Sequence, residues 1–334
     1  MQALLLTQYG TNNNVLELRE VDMPTCGADD IVVKNHAASL NPLDYKIRNG
    51  LLKAVLPKTF PKILGHDLSG EVVQVGAKVT TFKIGDAVFA RIDSGRAGTL
   101  AQYTAISASA AALKPAHLSH TEAASLPLVA LTSWQALVDV AQLKAGQKVF
   151  IPAGSGGVGS IAIQIAKSLG AFVATNTSGK NLEWVKSLGA DVVIDYTVDD
   201  FANVLRDYDV VFDTMGGETL TKAFSILKCG GTLVSIAAKT PSVDSAKKLG
   251  LNKFMQAVLW LLNRPLTNLA HKNGVNYHYF FMQANGQQLA HIGELSAQGL
   301  IKPIVDQTFT LAQSKAAFDA LESGRARGKI VVTI

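Results

Sequence analysis

Cysteine is nearly absent. Only Cys26 and Cys229 occur in 334 residues, far apart and with no C-x-x-C pair. This excludes a disulfide framework and a cysteine-built zinc site, and it fits a reducing compartment, with the cytoplasm as the expected location. Long apolar runs are missing too. The greasiest stretch, Phe254 to Leu262, is broken by Gln256 and falls well short of the about 20 residues that a bilayer-spanning helix needs. Met1 to Leu6 has no basic segment ahead of a long apolar core, so no signal peptide is expected. The net charge is +5, yet the basic residues are scattered instead of forming a long tract, and no nucleic-acid partner is expected. Internal repeats and low-complexity tracts are absent.

What remains is a globular composition, 48% hydrophobic and 17% charged. At this length two domains are expected, because single cores rarely grow beyond about 250 to 300 residues.

The most informative stretch runs from Lys148 to Gly159. An apolar run, Val149-Phe150-Ile151, meets the glycine cluster Gly154-Ser155-Gly156-Gly157-Val158-Gly159. Apolar residues then recur at Val158, Ile161, Ala162, Ile165, Ala166 and Leu169, the spacing of one helical face closed by Gly170. Strand, glycine turn and helix in this order let the backbone approach a pyrophosphate, whose charge meets the unpaired amides and positive dipole end of the helix. A dinucleotide is therefore the expected ligand. Further strands are expected at Phe172 to Asn176, Val192 to Asp195, Val210 to Asp213 and Leu233 to Ile236. Their alternation with helical stretches predicts a doubly wound parallel sheet.

An acid is missing where NAD would want one. The second strand ends Thr175-Asn176-Thr177-Ser178-Gly179-Lys180, with no carboxylate to accept from the adenosine ribose hydroxyls. Thr177 and Ser178 as donors and Lys180 as countercharge suit a 2′-phosphate instead, so NADPH is the preferred cofactor. A polar surface loop has the same composition.

The amino-terminal part reads as β. Ala3 to Leu6, Val15 to Val21, Ile31 to Ala38, Gly70 to Val75 and Ala87 to Ala90 are short extended candidates between glycines and prolines. Among them, Asn41-Pro42-Leu43-Asp44 opens a helical turn that Asn41 can cap and Gly50 can close. Helix formers begin near Thr121. After the sheet comes a segment without a clear place, Ala238 to Val275, with Lys247, Lys248 and Arg264. Its Phe254, Val258, Leu261 and Leu262 fit one helical face that roofs a pocket, meets a partner or rests on a membrane surface; plain core packing is the default. A strand at Tyr277 to Met282, a helix through Leu289, Ile292 and Leu295, and two closing strands, Ile301 to Val305 and Lys329 to Ile334, complete the chain.

Asn41-Pro42-x-Asp44, Gly65-x-Asp67-x-x-Gly70-x-Val72, Gly85-Asp86-x-Val88, Gly98-Thr99-x-Ala101-x-Tyr103, Leu126-Pro127, the glycine turn, Leu188-Gly189-Ala190-Asp191 and Gly328-Lys329 resemble the medium-chain dehydrogenase/reductase superfamily. The match is nearest to its zinc-independent quinone oxidoreductase and enone reductase branch. The resemblance implies an α/β chain of two domains. A GroES-like β domain would be formed by residues 1–121 and 285–334, and a Rossmann domain by 122–284, with cofactor and substrate meeting in the cleft between them. Zinc-dependent members place ligands where Asn41, His66 and Leu128 stand. An amide, one histidine and a leucine do not supply three zinc ligands, so no metal is expected.

Without a Lewis acid, hydride delivery to an electrophilic quinone or α,β-unsaturated carbonyl is the expected chemistry, since charge then moves onto an oxygen that needs only a hydrogen-bond donor. Asn41 is the first candidate. Tyr45, Lys46 and Arg48 are weaker ones, with ordinary roles as a core aromatic and as solvated helix-face charges; Asp44 reads as an orienting carboxylate. The resemblance also implies that Thr132 approaches the nicotinamide, that Tyr196 lies near the adenosine phosphate, and that Ser235, Ala237, Phe280, Phe281 and Met282 border the nicotinamide. It further implies a homodimer, with Tyr277 to Met282 as edge strand. Two rival readings stand beside this one: an NADPH-binding sensor or scaffold without turnover, and a zinc alcohol dehydrogenase.

Overall fold

The structure is a computed structural model describing residues 1–53, 59–93, 95–96, 98–239 and 252–334. Lys247 and Lys248 lie outside the described residues. The chain forms two compact units, Met1–Leu131 with Gln283–Ile334, and Thr132–Met282. The sequence placed the junctions at 121/122 and 284/285.

The second unit holds a six-stranded, all-parallel sheet. Across it the strands run Val192–Asp195, Phe172–Thr177, Lys148–Ile151, Tyr208–Asp213, Leu227–Ser235 and Asn276–Tyr279. This is the doubly wound order in which the first strand is central and the direction of winding reverses beside it. Helix Gly157–Ser168 follows the first strand and buries Ile161, Ala162, Ile165 and Ala166, the face predicted from their spacing. Each isoleucine contributes about 1.5 to 3 kcal/mol on full burial. Gly170, at φ 77°, turns the chain out of the helix, a conformation that glycine adopts without a β-carbon clash. Helix Pro127–Trp134 passes directly into a π-helical stretch, Gln135–Val140. Thr132 thus sits inside a helix that changes its winding.

The first unit is mostly β, as expected. Its larger sheet is ordered Val305–Thr310, Lys329–Thr333, Asp30–Leu40, Asp67–Val75, Ala87–Arg91 and Ala111–Leu113, with Tyr103–Ser107 also paired to Asp30–Leu40. A smaller sheet joins Leu16–Glu20, Gln2–Leu6 and Lys62–Ile63. Ile31, Val33, Leu68, Val72, Val88 and Ala90 pack one core. Leu6, Leu40, Ile47, Phe318, Ile330 and Val332 belong to another, which joins the amino-terminal strands to the carboxy-terminal tail.

Several expectations change in detail. The strand foreseen at Ile301 to Val305 lies at Val305–Thr310 instead. Ile301 is fully buried without being in a strand, whereas Val305–Thr310 is half-buried to exposed, so apolar content pointed to a stretch that meets the strand only at Val305. Arg48 is no solvated helix-face charge: it is wholly buried, and its Nη2 meets both Glu322 carboxylate oxygens at 2.7 Å. It thereby ties helix Pro42–Arg48 to helix Ser314–Glu322.

Candidate active site

Four strand ends converge in the first unit. Asp30–Leu40 ends beside Asn41, Asp67 opens its strand opposite Ser39 and Arg91, and Ile330 pairs with Leu40, which sets Lys329 next to Asn41. The Asn41 Nδ2 donates to Asp67 Oδ2 at 2.8 Å, and the Lys329 ammonium donates to Asn41 Oδ1 at 2.6 Å and to the Leu40 carbonyl at 2.6 Å. Ser39 Oγ donates to Asp67 Oδ2 at 2.9 Å, and the Leu128 amide donates to Asp67 Oδ1 at 2.8 Å. Asn41, Asp67 and Lys329 are all buried. Burial pulls the Lys329 ammonium below its ordinary value, and the negative charges of Asp67 and Asp44 oppose that pull.

Asn41 occupies the position before helix Pro42–Arg48, but its side chain is engaged with Asp67 and Lys329. The capping is done by Asp44, whose Oδ2 accepts from the Asn41 amide at 2.7 Å. The other oxygen, Oδ1, accepts from the Gly65 amide at 3.2 Å and lies 2.7 Å from His66 Nδ1. Asp44 is therefore an orienting carboxylate, holding His66 and the start of the helix together. A second cation, Arg91, is buried nearby and donates to the Ile92 carbonyl at 2.7 Å; burial also lowers its pKa, against the pull of Asp67, Asp93 and Asp44.

Of the other sequence candidates, Tyr45 packs against the core containing Leu40 and Phe318. Burial raises its hydroxyl pKa, helped by Glu322. Lys46 is exposed. Neither shares a hydrogen bond with the Asn41 network.

In the second unit the predicted nucleotide residues gather at the carboxyl end of the parallel sheet. Ala153 has φ 56° at the head of the glycine turn, its amide donates to Asn176 Oδ1 at 2.9 Å, and the Gly154 amide donates to the Asn176 carbonyl at 3.0 Å. A β-carbon at Gly159 would stand 2.3 Å from the Ala153 carbonyl oxygen, and one at Gly154 would stand 2.3 Å from Thr175 Oγ1. Gly159 lets the helix touch the turn, and Gly154 lets the turn touch the second strand. The amides of Gly157, Val158 and Gly159 open the helix, where intrahelical acceptors are lacking.

Thr177 ends the second strand with its hydroxyl buried and without a hydrogen-bond partner. Ser178 Oγ accepts from Asn181 Nδ2 at 3.2 Å, and Lys180 is exposed on the short turn Gly179–Asn181. An acid stands across from this strand end: Asp195 of the third strand pairs in register with Thr177. Its carboxylate is held below the ordinary range by hydrogen bonds from Thr197 and the Gly179 amide. Tyr196, largely exposed, lines a cavity of about 400 Å³ with Ala153, Asn176, Val198 and Met215. A larger cavity of about 490 Å³, bordered by Met1, Val21, Arg96 and Tyr103, shares no residue with the glycine turn or the Asn41 network.

Ser235 is buried and fully used: its hydroxyl donates to Asp213 Oδ2 at 2.6 Å and accepts from the Ala237 and Ala238 amides at 3.2 and 3.1 Å. Beside it, Gly216 at φ 69° leaves no room for a β-carbon, which would lie 2.2 Å from the Ala237 carbonyl oxygen. Phe280 to Met282 follow the last strand; the Phe280 amide donates to the Ser235 carbonyl at 2.9 Å, and Phe281 meets Tyr279 edge to face. Thr132 is buried.

Residues 27–116 match the family described as alcohol dehydrogenase GroES-like domain, and residues 188–332 the one described as zinc-binding dehydrogenase. The NAD(P)H oxidoreductase RTN4IP1, mitochondrial, of Danio rerio is 36% identical over 355 residues, spanning 100% of this chain and 91% of that protein. The NADPH-dependent alkenal/one oxidoreductase, chloroplastic, of Arabidopsis thaliana is 34% identical across 99% of this chain and 79% of its own length. Among solved structures, the quinone oxidoreductase from Coxiella burnetii superposes with a TM-score of 0.86 at 32% identity, covering 100% of this chain and 99% of that one.

The zinc implied by one of these family descriptions does not fit the residues present. Leu128 has no donor atom, the Asn41 carbonyl oxygen is taken by the Lys329 ammonium, and among the described residues no three His, Cys, Asp or Glu side chains form a metal-holding group. With its GroES-like and doubly wound units and these relatives, the chain belongs to the medium-chain dehydrogenase/reductase superfamily, in the quinone oxidoreductase branch.

Proposed function

We propose that this chain is an NADPH-dependent, zinc-free reductase of quinones or α,β-unsaturated carbonyls. The observation that carries the reading is the Asn41 amide. Lys329 holds its oxygen and Asp67 holds one N–H, so the amide cannot turn over, and the second N–H is outside the network. A bound NADPH supplies a hydride. Asn41 donates its remaining N–H to the acceptor oxygen as negative charge builds there, in surroundings too buried to reorganise. Asp67 and Lys329 fix the direction of that donor, and Asp44 fixes the backbone that carries it. On the nucleotide side, the amides of the glycine turn receive the pyrophosphate, while Thr177, Ser178 and Lys180 receive the 2′-phosphate. The relative named as NADPH-dependent supports this cofactor choice.

The test is oxidation of NADPH and of NADH by a quinone and enone panel with a chelator present. Turnover that prefers NADPH is expected. Tight NADPH binding without turnover would favour the sensor or scaffold, and activity that needs added zinc would favour the alcohol dehydrogenase.

A homodimer is proposed on the same footing: Asn276–Tyr279 stands at the open edge of the parallel sheet, where a second copy can add its own strand. Light scattering giving a monomer mass would contradict this. Cytoplasmic location is a further proposal, supported by two free thiols, Cys26 and Cys229.

A further inference from the structure

Helix Lys253–Asn273 is capped by Asn252, whose Oδ1 accepts from the Met255 amide at 2.9 Å, and is closed by Gly274 in the left-handed region. Only one face is buried. Leu259, Asn263 and Ala270 point inward, and Ala270, with Leu266 and Leu269, joins the core of the second unit. The amino-terminal half shows the solvent Phe254, Trp260, Leu261 and Leu262, which are 74%, 57%, 58% and 54% exposed. Four large apolar side chains exposed within nine positions are more than a soluble surface shows unless they are used.

The charge along this stretch of the chain has one sign. From Ser245 through Gly293 the chain contains no acidic residue, and its five basic residues equal the whole net charge of +5. Lys253, Arg264 and Lys272 are exposed on this helix, and the Arg264 guanidinium lies 5.1 Å from the centre of the Trp260 ring. No helix among the described residues is long and apolar enough to cross a membrane.

We propose that this helix docks on the surface of a membrane rich in anionic lipid, lying in the interface with Phe254, Trp260, Leu261 and Leu262 among the upper acyl chains and Lys253 and Arg264 at the phosphates. Charge selects this occupant. Pairing the face with a second copy would set two acid-free, basic helices against each other, whereas an anionic bilayer meets both the apolar and the cationic side chains. The docking does not depend on the proposed reaction.

The experiment is co-sedimentation of the full chain with vesicles of phosphatidylcholine alone or with a quarter phosphatidylglycerol, with tryptophan emission recorded in parallel. Binding to the anionic vesicles, release by salt and a blue shift lost in Trp260→Phe are expected. The Phe254→Ser/Leu261→Ser variant should bind at least about tenfold more weakly. Lys253→Gln/Arg264→Gln should lose the preference for anionic vesicles. Both pairs replace exposed residues, and unchanged NADPH affinity and thermal midpoint show that the fold is kept. Absence of vesicle binding, or equal binding by the apolar variant, would overturn the proposal. Self-association in sedimentation velocity that the apolar variant abolishes, without vesicle binding, would overturn it in favour of a second copy.

Discussion

The Asn41 network and the end of the second parallel strand treat their buried polar atoms in opposite ways. In the first, Asn41, Asp67, Lys329 and Asp44 satisfy one another through a network closed by Ser39 and the Leu128 amide. In the second, the hydroxyl of Thr177 is buried with no partner, beside a helix whose first amides have none within the helix. A buried hydroxyl without a partner is destabilising by about 1 to 3 kcal/mol. Under the proposed function the bound nucleotide completes the strand end, and the finished network holds a donor in a single direction. The first site orients; the second waits.

Removing Lys329 should disturb this contrast most. In Lys329→Ala the Asp67 carboxylate stays buried without its cation, and urea unfolding should show a loss of about 3 to 5 kcal/mol. In Lys329→Ala/Asp67→Asn much of that loss should return. A single variant as stable as the parent would mean that the network is not closed in solution.

The waiting site can be broken sterically. Gly159→Ala drives a β-carbon toward the Ala153 carbonyl, and NADPH affinity by fluorescence titration should fall at least about tenfold, or 1.4 kcal/mol. Full affinity would show that the turn tolerates a side chain and that its glycine serves packing alone.

Lys180→Ala sharpens the cofactor choice. NADPH binding should weaken by about 1 to 3 kcal/mol with NADH nearly unchanged. Equal losses would remove Lys180 from the phosphate and return weight to Asp195, the carboxylate facing Thr177 across the strands.

A smaller effect concerns acid. His120 is held down to about 4 by burial, by His36, whose ring lies tilted against it with centres 4.5 Å apart, and by Lys114. The unfolded chain takes up a proton near pH 6.5, which the folded chain refuses until about 4, so stability should be full above 6.5 and decline as pH falls through that window. In His120→Gln the thermal midpoint should decline less over the same range, and an unaltered pH profile would contradict the assignment.

The nucleotide unit was the more legible in sequence because its signals are local. Strand, glycines and apolar spacing sit within one short run, and the glycines announce close backbone approach by residue type. The other site is assembled from positions far apart. Lys329 appeared in sequence only as part of a Gly-Lys motif at the start of an apolar strand; its partnership with Asn41 depends on the register that pairs Ile330 with Leu40. A lone lysine opening an otherwise apolar strand was the available sign. Asn41 read as a helix cap for a sound reason, since it does stand at the cap position, but tertiary partners claimed its side chain and left the capping to Asp44. Asp195 shows the same limit: the sequence shows that it ends its strand, and only strand pairing shows that it faces Thr177.

The most direct test is the rate of hydride transfer in a single turnover of the chain saturated with NADPH, comparing the parent with Asn41→Ala in the presence of chelator. Loss of one positioned donor should slow transfer about a hundredfold while NADPH affinity stays the same. An unchanged rate would contradict the account, leaving the buried network as a structural brace with no part in polarising the acceptor.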